Sequence, residues 1–145
     1  MYMANKGLII NSDLDTGQKV VALIACIAQE MVTEMERSIK HLNLSLTQVQ
    51  ILHVLSHSPE GRLTVNQIKG AMVVDSPNVS RSLNKLMENE LIVKERSTED
   101  QRVVHITVTD KGREYHDEAD KFIVDLPLNL NDEEKEKLYQ LLVKL

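Results

Sequence analysis

The sequence predicts a mainly α-helical chain with one small β-hairpin: a winged helix-turn-helix lobe carried between N- and C-terminal helices. Three observations predict it. Apolar residues recur at three- and four-residue steps along much of the 145-residue chain, which is the helical period. Two short helical segments are joined by a tight connection, Val73-Val74-Asp75, as in a helix-turn-helix. Two β-rich runs with a polar tip follow directly and supply the wing.

Asp13 to His41 reads as one long helix. Val20, Ile24, Ile27, Met31 and Met35 form one apolar stripe, with Val21, Ala25, Ala28 and Val32 beside it. Such a helix is roughly 40 Å long at 1.5 Å per residue. Its wide apolar face calls for a partner, most simply a second copy of the chain. Leu46-Thr47 opens a shorter helix to about His57, and Ser58-Pro59-Glu60-Gly61 is a turn by composition. Thr64 with Gln67 is a capping-box pattern that starts a helix through about Met72. Ser76 is placed to cap the next helix, with Pro77 at its first position, where the missing N–H is harmless. Val79, Leu83 and Leu86 make that helix one-sided to about Asn89.

Leu91–Arg96 and Val103–Val108 are the hairpin strands, with Ser97–Arg102 as the polar tip. No glycine separates the preceding helix from Leu91, so Asn89 or Glu90 must take the left-handed conformation that ends it. Thr109 is the expected cap of a helix with a buried stripe of Tyr115, Ala119, Phe122 and Leu126, ended by Pro127. Asn131 with Glu134 opens a last helix carrying Leu138, Leu141, Leu142 and Leu145.

Composition excludes several classes. One cysteine rules out an internal disulfide framework and any multi-cysteine zinc module. The longest apolar run, Val20 to Ala28, is nine residues, far short of a bilayer span. No secretory signal is read at the N-terminus, and a cytoplasmic protein is expected. Four aromatic residues argue against a platform that stacks single-stranded bases. The net charge of −5 is unevenly spread. From Arg62 to Arg102 seven Lys/Arg meet six Asp/Glu, leaving +1, and the remainder carries −6. The middle of the chain is therefore the part best suited to a polyanion.

If Val79, Leu83 and Leu86 face inward, the helix from Ser76 exposes Ser76, Asn78, Ser80, Arg81, Asn84 and Lys85. Short polar groups at a helix N-terminus can reach base edges in the major groove of double-stranded DNA. Asn can read adenine bidentately, and Arg can read guanine or hold phosphate. Lys85 lies a turn later and suits backbone phosphate. Lys94 and Arg96 lie on the first hairpin strand, with Arg96 nearer the tip.

Asp100-Gln101-Arg102, a strand, then Val108-Thr109-Asp110-Lys111-Gly112 resembles the wing pattern of the MarR family of bacterial transcription regulators. Leu46-Thr47, Thr64 and Ser76-Pro77-Asn78-Val79-Ser80-Arg81 fit that family's helix starts and recognition helix. The resemblance runs from about residue 16 to the end, with Val108 where leucine is usual. It implies one domain over 1–145: dimerisation helices at about 13–41 and 110–145, and a DNA-binding lobe at about 46–108. It implies a homodimer that represses from a pseudo-palindromic operator, and it places Arg102 at the wing tip in the minor groove. A narrow minor groove concentrates negative potential and attracts a guanidinium. Asp100 is expected to pair with Arg102 and hold its direction. Ser76, Pro77, Asn78, Ser80, Arg81, Lys85, Arg96 and Arg102 are thus the expected DNA-binding residues. Any small-molecule effector is expected where the dimerisation helices meet the lobe, near His41, Leu42, Ile51 and Tyr115.

Rival readings have weaker support. Cys26 sits among apolar residues and reads as a small core residue, not a redox sensor. His53 and His57 are four apart on one helix, which supplies only half a metal site, so no metal is expected. No phosphate-cradling loop or catalytic triad is present, so no enzyme and no cofactor are expected. A winged-helix dimer that binds protein instead of DNA would also suit the acidic charge.

Overall fold

The structure, a computed structural model, describes residues 5–73, 76–123 and 126–145, and the side chain of residue 76 is not among the described ones. A short helix absent from the sequence reading, α1 (Lys6–Ile10), precedes the long helix α2 (Thr16–Ser38). Asp15 caps α2: its carboxylate accepts the Gln18 N–H at 2.9 Å, and the Gln18 side chain accepts the Asp15 N–H at 3.2 Å. This reciprocal box satisfies two donors that a helix start leaves orphaned. The helix stops at Ser38 rather than His41. A 3-10 turn over Lys40–Leu42 follows, and Asn43 takes a left-handed conformation with φ 54°. Asparagine tolerates that conformation better than most residues, and it breaks the helical path.

Ser45 and Gln48 form the same kind of box at the start of α3 (Leu46–Ser56). Thr64 and Gln67 repeat it at α4 (Val65–Ala71), where it was expected. Helix α5 (Ser76–Glu88) follows. The connection through residues 74 and 75, and the capping role of Ser76, lie outside the described residues. At the end of α5, Glu90 is the left-handed residue, with φ 61°. The Leu91 N–H returns to the Leu86 carbonyl at 2.9 Å and the Glu90 N–H to Met87 at 3.0 Å. These are the paired bonds of a Schellman closure.

The wing strands are β2 (Ile92–Arg96) and β3 (Val104–Val108), antiparallel with Ile92 opposite Val108 and Arg96 opposite Val104. The expected two-stranded hairpin is in fact a three-stranded sheet. A strand β1 (Arg62–Thr64) pairs with the other edge of β3, giving the order β1-β3-β2. Three residues are too few to show a period-two pattern, so β1 exists through its partner and not through local sequence.

Thr109 caps α6 (Asp110–Ile123) as expected, accepting the Gly112 N–H at 3.0 Å. The buried face is Gly112, His116 and Ala119, a rotation away from the expected stripe. Tyr115 is half-buried, and Phe122 is 41 % exposed with its edge against the His41 ring. Leu126 follows the helix instead of extending its stripe, and the turn before Pro127 includes residues outside the description. Asn131 and Glu134 box the start of α7 (Asp132–Leu142).

The core lies within the lobe. Ile39, Leu46, Ile51, Leu52 and Leu55 pack with Ile68, with Val79, Leu83 and Leu86 of α5, and with Leu91, Ile92, Ile106 and Val108 of the sheet. Ala119 joins it from α6. The terminal elements differ. Cys26 is the one buried residue of α2, and α7 buries none. Val20, Val21, Ile24 and Ile27 on α2, and Leu138, Leu141 and Leu142 on α7, stay exposed. No helix among the described residues is long and apolar enough to cross a membrane.

Candidate nucleic-acid interface

Helix α5 divides as its sequence requires. Val79, Ser82, Leu83 and Leu86 are buried. Pro77, Asn78, Arg81, Asn84 and Lys85 are exposed, and Ser80 is half-buried. The Arg81 guanidinium donates to the Asn78 side-chain oxygen at 2.7 Å, so these two side chains act as one polar unit at the start of the helix. Lys85 lies 3.4 Å from the Glu88 carboxylate, an exposed pair one turn apart that contributes little.

On the wing, Lys94 and Arg96 are exposed on β2 and Arg102 is exposed at the tip. Among the described residues none of these three cations makes an ion pair. Asp100 does not bind the Arg102 guanidinium, contrary to expectation. Its carboxylate accepts the Arg102 backbone N–H at 2.9 Å, and its carbonyl accepts the Val103 N–H at 2.9 Å. An aspartate two residues before an N–H closes onto the backbone more readily than it reaches a long side chain. Asp100 therefore shapes the turn that presents Arg102 and leaves the guanidinium open.

The wing is joined firmly to α6. The Thr109 N–H donates to the Leu91 carbonyl at 3.1 Å, its hydroxyl donates to the Glu90 carbonyl at 2.8 Å, and the Lys111 ammonium donates to the Asn89 carbonyl at 3.0 Å. Gly112 lets the first turn of α6 lie against the Leu91 carbonyl, with no room for a Cβ.

Behind this surface, α2, α3, α4 and α6 enclose an open cleft of about 410 Å³. Met35, Val49, Val54, Met72 and Ile123 give it an apolar lining, and Gln50, His53 and Asp120 are its polar residues. The expected effector residues are elsewhere. Leu42 and Tyr115 line a separate hollow of about 100 Å³, Ile51 is wholly buried in the core, and His41 packs on Phe122.

Beside the cleft, His116 from α6 meets His53 from α3 and His57, which caps the end of α3. His53 Nδ1 and His116 Nε2 are 2.9 Å apart. His116 Nδ1 lies 3.2 Å from Asp117 Oδ1, and His116 Nε2 lies 3.6 Å from Asp120 Oδ2. His57 Nδ1 lies 2.9 Å from the His53 carbonyl. Partial burial lowers the His53 pKa from its ordinary value, the neighbouring His57 and His116 lower it further, and Asp120 opposes them. The four-residue spacing of His53 and His57 was legible in the sequence. The arrival of His116 was not, because it depends on how α6 packs on α3. Cys26 is buried with its sulfur 3.8 Å from a Glu30 oxygen, outside the cluster that forms the core of the lobe.

With this geometry in view, comparison with known proteins is decisive. The family model of the transcriptional regulator SarA/Rot matches residues 34–119, from the end of α2 through the winged lobe to α6. The chain belongs to the SarA/Rot family of transcriptional regulators. TcaR, an HTH-type transcriptional regulator of Staphylococcus aureus (strain Newman), is 33 % identical over 129 residues, covering 85 % of this chain and 79 % of TcaR. A mutant MarR from E. coli complexed with operator DNA superposes with a TM-score of 0.76 at 19 % identity, over 90 % of this chain and 98 % of that one. BpsR of Bordetella bronchiseptica, solved in a study of how 6-hydroxynicotinic acid regulates its DNA binding, superposes at 0.76 with 21 % identity, over 92 % and 96 %. The fold of this SarA/Rot regulator is thus the MarR winged helix.

Proposed function

We propose that this SarA/Rot regulator is a ligand-responsive repressor that binds a pseudo-palindromic operator as a homodimer. The observation that carries this reading is the exposed polar face of α5 beside unpaired wing cations. Asn78, Arg81 and Lys85 lie along one side of the helix, and Arg96 and Arg102 lie on the wing with no carboxylate partner among the described residues. Helix α5, from Ser76-Pro77 onward, enters the major groove. Arg102 enters the adjacent minor groove, and Lys94 and Arg96 hold phosphate. The solved operator complex of MarR, with the same fold, supports this docking.

Residues 13–41 and 110–145 are the dimerisation segments, and 46–108 the DNA lobe. The apolar faces of α2 and α7, exposed in the single chain, support this division. Two-fold symmetry then sets the half-sites about one helical turn apart, near 10 bp. An apolar effector of modest size fits the cleft between α2, α3, α4 and α6. It acts only so far as it binds one lobe arrangement better than another.

Fluorescence anisotropy on labelled duplex from upstream of its own gene, across a salt series, tests the reading. Affinity falls steeply with salt, and Arg102→Ala weakens it. A folded dimer that binds neither that duplex nor any member of a selected random pool refutes it.

A further inference from the structure

We infer that His53, His57, His116 and Asp120 form a binding site for a zinc-type divalent transition metal, bridging α3 and α6. His53 and His57 alone make half a tetrahedral site, and α6 brings the other half. His116 Nε2 faces His53 Nδ1 at 2.9 Å and Asp120 Oδ2 at 3.6 Å. Two donor atoms bonded to one tetrahedral zinc at about 2.0–2.1 Å lie about 3.3 Å apart. Both separations are close to that value. One ring nitrogen from each of the three histidines falls within 4.8 Å of the others, so modest side-chain rotation of exposed His57 completes the set.

The remaining ring nitrogens point the same way. A metal-bound histidine usually gives its second N–H to a carboxylate or a backbone carbonyl, which fixes the tautomer and frees the other nitrogen's lone pair. His116 Nδ1 has Asp117 at 3.2 Å, and His57 Nδ1 has the His53 carbonyl at 2.9 Å. Each arrangement leaves Nε2 for a metal. A buried histidine would be satisfied by Asp117 at one ring nitrogen and His53 at the other. Those bonds do not account for a third imidazole, His57, and a second carboxylate, Asp120, gathered at the same buried ring. Imidazole donors select zinc-like ions over magnesium or calcium, which take oxygen ligands.

The bridge fixes the angle between α3, which packs against α5, and the helix that leads towards the proposed dimer interface. Its effect on operator affinity rests on the function proposed above, whereas the metal site does not. The coupling equals the difference in zinc affinity between the DNA-bound and free arrangements.

The test uses the chelator-treated full chain, titrated with Zn²⁺ by calorimetry and with Co²⁺ by visible absorption. One ion per chain and the intense bands of tetrahedral Co²⁺ are expected, with a thermal midpoint that rises with zinc. His57→Gln, at an exposed ring, removes this binding without unfolding the chain. Asp117→Asn lowers the affinity by about 10–100-fold, and His105→Gln on β3 leaves it unchanged. Absence of stoichiometric binding, or binding that survives both His57→Gln and His116→Gln, overturns the site. Operator anisotropy with and without Zn²⁺ reads the coupling separately, and an unchanged affinity overturns the coupling. Zinc binding in the expected pattern by a chain that binds no duplex supports the site and overturns the DNA-binding reading.

Discussion

Gly112→Ala destabilises the fold, while the same substitution at Gly70 stabilises it. A Cβ at Gly112 would overlap the Leu91 carbonyl oxygen and lie 2.8 Å from Val108 Cγ2. The carbonyl cannot retreat freely, because it accepts the Thr109 N–H at 3.1 Å where α6 begins. Overpacking of this kind costs about 1–3 kcal/mol, against a helix-propensity gain of up to about 1 kcal/mol. The net loss is about 1–2 kcal/mol, or several degrees in thermal midpoint at roughly 2–4 °C per kcal/mol. A Cβ at Gly70 meets nothing within 4 Å, so only the propensity gain remains, about 0.5–1 kcal/mol. Urea unfolding followed by circular dichroism measures both, at one protein concentration because the proposed dimerisation would contribute to apparent stability. The midpoints should move in opposite directions at unchanged m. A Gly112→Ala variant as stable as the parent would refute the close-approach argument.

Three further outcomes follow from the same reasoning. Glu90→Gly relieves a positive φ at an exposed position and raises stability by up to about 1 kcal/mol, read as a higher urea midpoint. Ser45→Ala removes the acceptor of the Gln48 N–H and costs about 1 kcal/mol, by the same assay. Leu141→Asp places a charge on the exposed apolar face of α7 and, if the proposed homodimer forms through that face, halves the mass seen by light scattering. The far-UV spectrum of the lobe persists, because α7 buries nothing in the core.

Most of the helical order could be read from residues whose effects are local. Thr64 with Gln67 and Asn131 with Glu134 marked helix starts because a capping box uses only neighbouring atoms. Ser45 with Gln48 and Asp15 with Gln18 carried the same signal, and it was available to a stricter reading. Val79, Leu83 and Leu86 were placed inward by period alone, and they are buried. What escaped depends on distant partners. Strand β1 takes its identity from β3. The roll of α6 that buries His116 instead of Phe122 is set by its packing on α3. The Asp100 carboxylate was assigned to the wrong part of the right residue, since charge pairing suggested the guanidinium and turn geometry selected the backbone N–H. The histidine cluster was half visible for the same reason, with two members on one helix and the third 59 residues after His57.

Thr64 is both the last residue of β1, opposite His105, and the cap of α4. Its side chain holds the Gln67 N–H at 3.2 Å while the Gln67 side chain holds the Thr64 N–H at 2.8 Å. Strand and helix therefore share a single pivot, with no linker between them to absorb motion. When the β1 edge of the sheet separates from β3, the first turn of α4 loses its anchor in the same event. The wing base and the helix ahead of α5 thus form one cooperative opening unit. Amide exchange at Gln67 should keep pace with exchange in the β1–β3 ladder, and a bound duplex that stills the wing should slow both together.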